Sequence, residues 1–151
     1  MRTFVAMVLV VAIGCVVAAP QARGAMLPAG DVKKELQTAI FHASELAQRG
    51  SAVQASKLHV QHVINCLEGP GGANFKQEAG FPCQGQGNGI IPDLKTAVAD
   101  KMPGAETALQ QAMLALNLAV QAEGKNDVNE VQPWAKVVAD HLKAALNALG
   151  S

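Results

Sequence analysis

Between residues 31 and 149 apolar side chains recur at spacings of three and four, the period of helices that bury one face. The first such stretch carries Val32, Leu36, Ala39, Ile40, Ala43, Leu46 and Ala47 on one face. Asp31 is placed to cap it and Gly50 to stop it. The second begins at Ser51, where Gln54 completes a capping box, and its face is Val53, Val60, Val63, Ile64 and Leu67. So short a turn predicts an antiparallel helical hairpin. A short helix is predicted from Asp93 to about Met102, broken by Pro103 and Gly104. A third long helix then runs to about Glu123, with Leu109, Ala112, Met113, Leu116 and Val120 as its face. The last runs from a turn near Asp127 to Leu149, starting or kinking at Pro133. Its face is Trp134, Val138, Leu142, Ala145 and Leu149.

Four amphipathic helices predict an all-α, up-down-up-down four-helix bundle. Between the second and third long helices lies GPGGANFKQEAGFPCQGQGNGIIP, residues 69–92, too rich in glycine and proline for a long regular element. A segment of that length inside a compact domain is either functional or tied down.

The amino terminus has another pattern. Arg2 precedes an apolar run from Phe4 to about Ala19, and small residues follow. Residues 1–25 read as a secretory signal peptide, with cleavage after Ala19, Ala22 or Ala25. A lipidated Cys15 and an uncleaved anchor helix are the alternatives. Residues 26–151 then form one domain, periplasmic or secreted, with no membrane attachment after cleavage. The whole chain balances 12 Lys+Arg against 12 Asp+Glu, and losing Arg2 and Arg23 leaves a net of −2. No basic stripe for nucleic acid remains. Cys66 and Cys83 remain as a pair, which an oxidising compartment converts to a disulfide stapling the Gly-rich loop. Metal-binding or reactive thiols are the rival reading for them.

The four histidines are the candidate chemistry. His42 and His59 lie at equal distances from the first turn, roughly 12 Å down their helices at 1.5 Å per residue. His62 lies one turn deeper, and His141 enters the same band if the last helix starts at the same end. The band is then about 9 Å tall. His42 and His59 each point roughly 90° from their apolar faces, in the same rotational sense. Both therefore lie in the seam between the helices, or both point away from it. His141 is nearer its apolar face, and His62 faces solvent unless the loop folds over it. Imidazole suits Cu, Zn, Ni and Fe. Glu35, Glu45 and Asp140 lie on the same flanks as possible oxygen ligands.

Other chemistries lack their motifs. No Cys-x-x-Cys-His, Glu-x-x-His, His-Glu-x-x-His or Gly-x-Ser-x-Gly occurs, and GQGNGIIP lacks the lysine of a phosphate loop. Asn74, Asn88 and Asp93 offer oxygens for Ca²⁺, but not at EF-hand spacing. Non-covalent haem b on His141 is an alternative, but its partner would be Met26, before the first helix; Met102 and Met113 read as core. No nucleophile, base and orienting group assemble from spacing, so the reading is non-catalytic.

HASELAQRG followed by HVQHVINCLEG resembles the histidine-punctuated hairpins of small periplasmic metal-binding proteins of bacteria. The resemblance covers residues 31–67. It implies a short exported four-helix protein holding copper or another divalent metal through histidines. Those proteins carry more histidines and lack the disulfide-closed loop, so one or two sites are implied here. The combined expectation is a divalent transition metal (Cu, Zn or Ni) held by His42 and His59, with His62 and His141 completing the ligand set. A cofactor-free interaction module using the Gly-rich loop is the further alternative, its protein partner undefined.

Overall fold

The computed structural model describes residues 29–49 and 52–150. The expected signal peptide with Cys15, and Met26, Gly50 and Ser51, lie outside the described residues. The described chain is all-helical and contains no strand. Its α-helices are α1 (Ala29–Arg49), α2 (Val53–Glu68), α3 (Ile90–Ala99), α4 (Ala105–Glu123) and α5 (Val128–Ala148), with one 3₁₀ turn at Gln77–Ala79.

Several predicted ends move. α1 begins at Ala29, so Asp31 falls inside its first turn. α2 opens from Ala52 with no side-chain cap from that residue, and the expected Ser51–Gln54 capping box rests on Ser51, outside the described residues. α3 starts after Gly89, at Ile90, three residues before Asp93. Pro92 is tolerated there because first-turn N–H groups have no helical acceptor. The Asp93 carboxylate instead reaches back to accept from the backbone N–H and side-chain amide of Asn88, at 3.0 and 2.9 Å. Asp127 does cap α5, accepting from the Asn129 N–H at 2.9 Å. α5 begins before Pro133 and runs through it. The carbonyl of Asn129, which would have bonded there, belongs to an exposed residue.

α1 packs on α2 and α5, and α4 packs on α2, α3 and α5. Val32, Leu36, Ala39, Ala43 and Leu46 of α1 are buried as predicted, as are Val60, Val63, Ile64 and Leu67 of α2. α4 departs from expectation. Its buried face is Ala105, Ala108, Ala112, Ala115, Ala119 and Ala122, an unbroken three-four stripe of alanine. Leu109, Leu116 and Val120 flank the stripe half-buried, and Met113 is 54% exposed rather than in the core. Alanine brings neighbouring helices close, and the larger side chains then fill the clefts on either side. α5 shifts likewise: Val131, Ala135 and Ala139 are buried, while Trp134 and Leu149 pack at the edge.

The segment between α2 and α3 is held by α2. The Cys66–Cys83 disulfide is present, with Cα atoms 5.4 Å apart and both cysteines fully buried. In the chain-entropy view closing such a loop contributes roughly 3 kcal/mol. The two ends of the segment cross at Gly69 and Gly89, where a Cβ on Gly89 would sit 2.6 Å from the Gly69 nitrogen. Both have positive φ, +69° and +117°, so glycine is required twice over.

Candidate metal centre

Antiparallel pairing brings the outer edge of α1 against that of α2, with His42 opposite His59. Their Nδ1 atoms are 3.2 Å apart. Two nitrogens each 2.0–2.1 Å from a tetrahedral metal ion lie about 3.3 Å apart, so this is a ligand–ligand spacing. His62 follows one turn later on α2. Its ring centroid is 4.8 Å from that of His42 and 5.8 Å from that of His59. One nitrogen from each of the three rings falls within 4.8 Å of the others.

The loop decides the state of His62. Its Nε2 lies 2.7 Å from the carbonyl oxygen of Ala79. A carbonyl only accepts, so Nε2 carries the hydrogen and donates. In the neutral ring Nδ1 is then a bare lone pair, and it is buried with no hydrogen-bond partner. A ligand histidine commonly shows this arrangement, with the distal N–H anchored on a carbonyl and the other nitrogen free for metal.

Ala79 is itself fixed by two amides of α2. Asn65 is fully buried. Its Nδ2 donates to the carbonyls of Lys76 and Gly80 at 2.8 and 2.6 Å, and its Oδ1 accepts from the Lys76 N–H at 2.9 Å. Gln61 Nε2 donates to Asn65 Oδ1 at 2.9 Å and to the Asn74 carbonyl at 2.8 Å. Gln61, His62, Asn65 and Cys66 therefore grip the loop from one face of α2. Sequence reasoning passed over Gln61 and Asn65. The available signal was a pair of amides four apart, abutting the apolar sector and the cysteine.

Burial and repulsion between neighbouring rings disfavour the charged forms of His42 and His62. The pKa of His42 falls from 6.5 to about 4, first through desolvation and then through the neighbouring His62 and His59. That of His62 is also lowered, chiefly by desolvation, against the raising effect of its bond to Ala79. Neutral imidazoles are the metal-binding form. The exposed ring of Phe41 stands edge-on to His42, centroids 5.4 Å apart.

The other candidates lie apart. His141 does not join the three: its Nδ1 is 2.7 Å from Gln111 Oε1, tying α5 to α4. Of the four histidines three therefore cluster, and the fourth bonds to α4 instead. Glu35 is fully buried and accepts from the Gly89 N–H at 3.1 Å, at the base of the loop. Asp140 is paired with Lys136 at 2.7 Å, which lowers its pKa. Glu45 is not among the clustered ligands. The oxygens considered for Ca²⁺ close local turns: Asn74 bonds Glu68, and Asn88 bonds Asp93. No protein-family model matches the chain, and neither curated proteins nor solved structures include one detectably similar to it.

Proposed function

We propose that this is an exported, non-catalytic protein that binds one divalent transition metal ion, Cu, Zn or Ni, through His42, His59 and His62. Its role is carriage, buffering or sensing outside the cytoplasm. The observation that carries the reading is the buried, unpartnered Nδ1 of His62 beside two other imidazoles. An orphaned buried polar atom is costly, and a metal ion is a partner that would satisfy it. A cleft of about 1180 Å³ between the loop, α3 and α4 is lined by none of the three histidines. The disulfide is compatible with an oxidising compartment, and no described helix is long and apolar enough to cross a membrane.

An up-down-up-down course of α1, α2, α4 and α5 is part of this reading. It is supported by contacts between opposite ends of neighbouring helices. Lys33 donates to the Gly150 carbonyl, Lys57 to the Asn126 side chain, and Gly104 abuts the Ala148 carbonyl.

The test is isothermal titration of oxidised, metal-stripped protein with Cu²⁺, Zn²⁺ and Ni²⁺, beside the His42→Ala/His59→Ala variant. Saturation near one equivalent, lost in the folded variant, is expected. Equal binding by both proteins would remove the assignment and turn attention to the Gly-rich loop as an interaction surface.

A further inference from the structure

The metal site and the disulfide share one anchor. Cys66 lies four residues after His62, one turn along the same face of α2. Its partner Cys83 lies four residues after Ala79, whose carbonyl holds His62. Between these points the loop is secured by Asn65 at Lys76 and Gly80. The disulfide thus closes a short ring of chain and hydrogen bonds, with the Ala79 carbonyl on one side and His62 on the other.

Resting on the metal-binding reading above, we infer that formation of the Cys66–Cys83 disulfide makes the site metal-competent, by seating the loop that orients and buries His62. In the dithiol chain the middle of the loop from Gly69 to Gly89 keeps only non-covalent ties: the hydrogen bonds to Gln61, His62 and Asn65, the Lys76–Glu123 ion pair and the packing of Phe81 on the core. Seating it then costs the conformational entropy that the cross-link otherwise removes. When the loop lifts, His62 loses both its tautomer lock and its cover, and the triad becomes a two-histidine edge. Oxidation proceeds by disulfide exchange. The two thiols give up two protons and two electrons, and a disulfide-bearing oxidant takes them and becomes two thiols. Both cysteines are fully buried once joined, so the seated loop shields the bond from exchange. The device therefore works as a maturation step: metal is withheld from the chain until it has been oxidised.

The probe is Ni²⁺, which leaves thiols unoxidised, titrated into oxidised wild type and into the Cys66→Ala/Cys83→Ala variant. The variant lacks the two loop thiols that could otherwise act as substitute ligands. The expected result is one equivalent bound by wild type and an affinity lower by about 10- to 100-fold in the variant, the usual effect of losing support behind a ligand histidine. Far-UV helicity and Trp134 fluorescence report the bundle, and both should be retained. Equal affinities in the two proteins would overturn this inference and leave the triad standing. No Ni²⁺ binding by oxidised wild type would overturn both. If the variant does not fold, the decisive measurement is made on wild type alone, by reducing its disulfide with a phosphine with and without Ni²⁺. Ni²⁺ held beneath the seated loop is expected to slow that reduction, and His62→Ala to abolish the protection. Reduction indifferent to Ni²⁺ would overturn the inference.

Discussion

The residue that most constrains this molecule is His62. One of its nitrogens is committed to Ala79 and the other is buried without a partner. His62→Ala is expected to weaken metal binding at least tenfold by isothermal titration, whereas His141→Ala, which only unties Gln111, should stay within about twofold. His42 contributes to the pH response of the metal-free protein. Its pKa drops from 6.5 to about 4 because desolvation, then His62 and His59, disfavour the charged ring. Above 6.5 neither the folded nor the unfolded state is protonated there, and nothing is lost. Between 6.5 and about 4 the unfolded chain takes a proton that the folded one refuses, so stability falls as pH falls. Urea midpoints at pH 7 and pH 4.5 should therefore differ more in wild type than in His42→Gln. An equal difference would show that His42 is not responsible.

At the scale of elements, α2 does two jobs with adjoining faces. One face carries Val60, Val63, Ile64 and Leu67 into the core, and its neighbour carries Gln61, His62, Asn65 and Cys66 to the loop. Asn65→Ala removes the bonds to Lys76 and Gly80 and leaves their groups part-buried without those partners. A loss of about 3 kcal/mol in denaturant-derived stability is expected, at about 1–3 kcal/mol per orphaned group. A loss below about 1 kcal/mol would mean that water replaces the amide. The helices themselves were legible from the spacing of apolar residues, and so was the His42–His59 register, because both count from one short turn. The loop over His62 was not legible. Its backbone acceptors have no side-chain signature, and hydrophobic periodicity says nothing of which polar face a segment will cover.

For the whole molecule, the alanine stripe of α4 sets how closely the helices approach. Ala112 and Ala115 are fully buried, with no exposed area to give. Ala112→Leu should destabilise by about 1–3 kcal/mol through overpacking, read as a shift in urea midpoint. Met113→Ala, on the exposed side, should change it by less than about 0.5 kcal/mol. Size was misleading here: Leu109, Met113 and Leu116 have the greater hydrophobicity, but the alanine stripe allows the closer contact. A wheel weighted by apolar volume points to the flank of such a helix rather than to its buried face.

Sequence alone determined that the chain is helical, where its long helices lie, that Cys66 and Cys83 pair, and that His42 and His59 stand level. These are consequences of local period, of turn length and of cysteine count. Tertiary structure decided the rest. It seated residues 76–80 over His62, sent His141 to Gln111 and chose alanine for the α4 interface. Each of these depends on which surfaces meet and on which buried polar atoms find partners. Those are properties of the packed molecule, to which a one-dimensional pattern is blind.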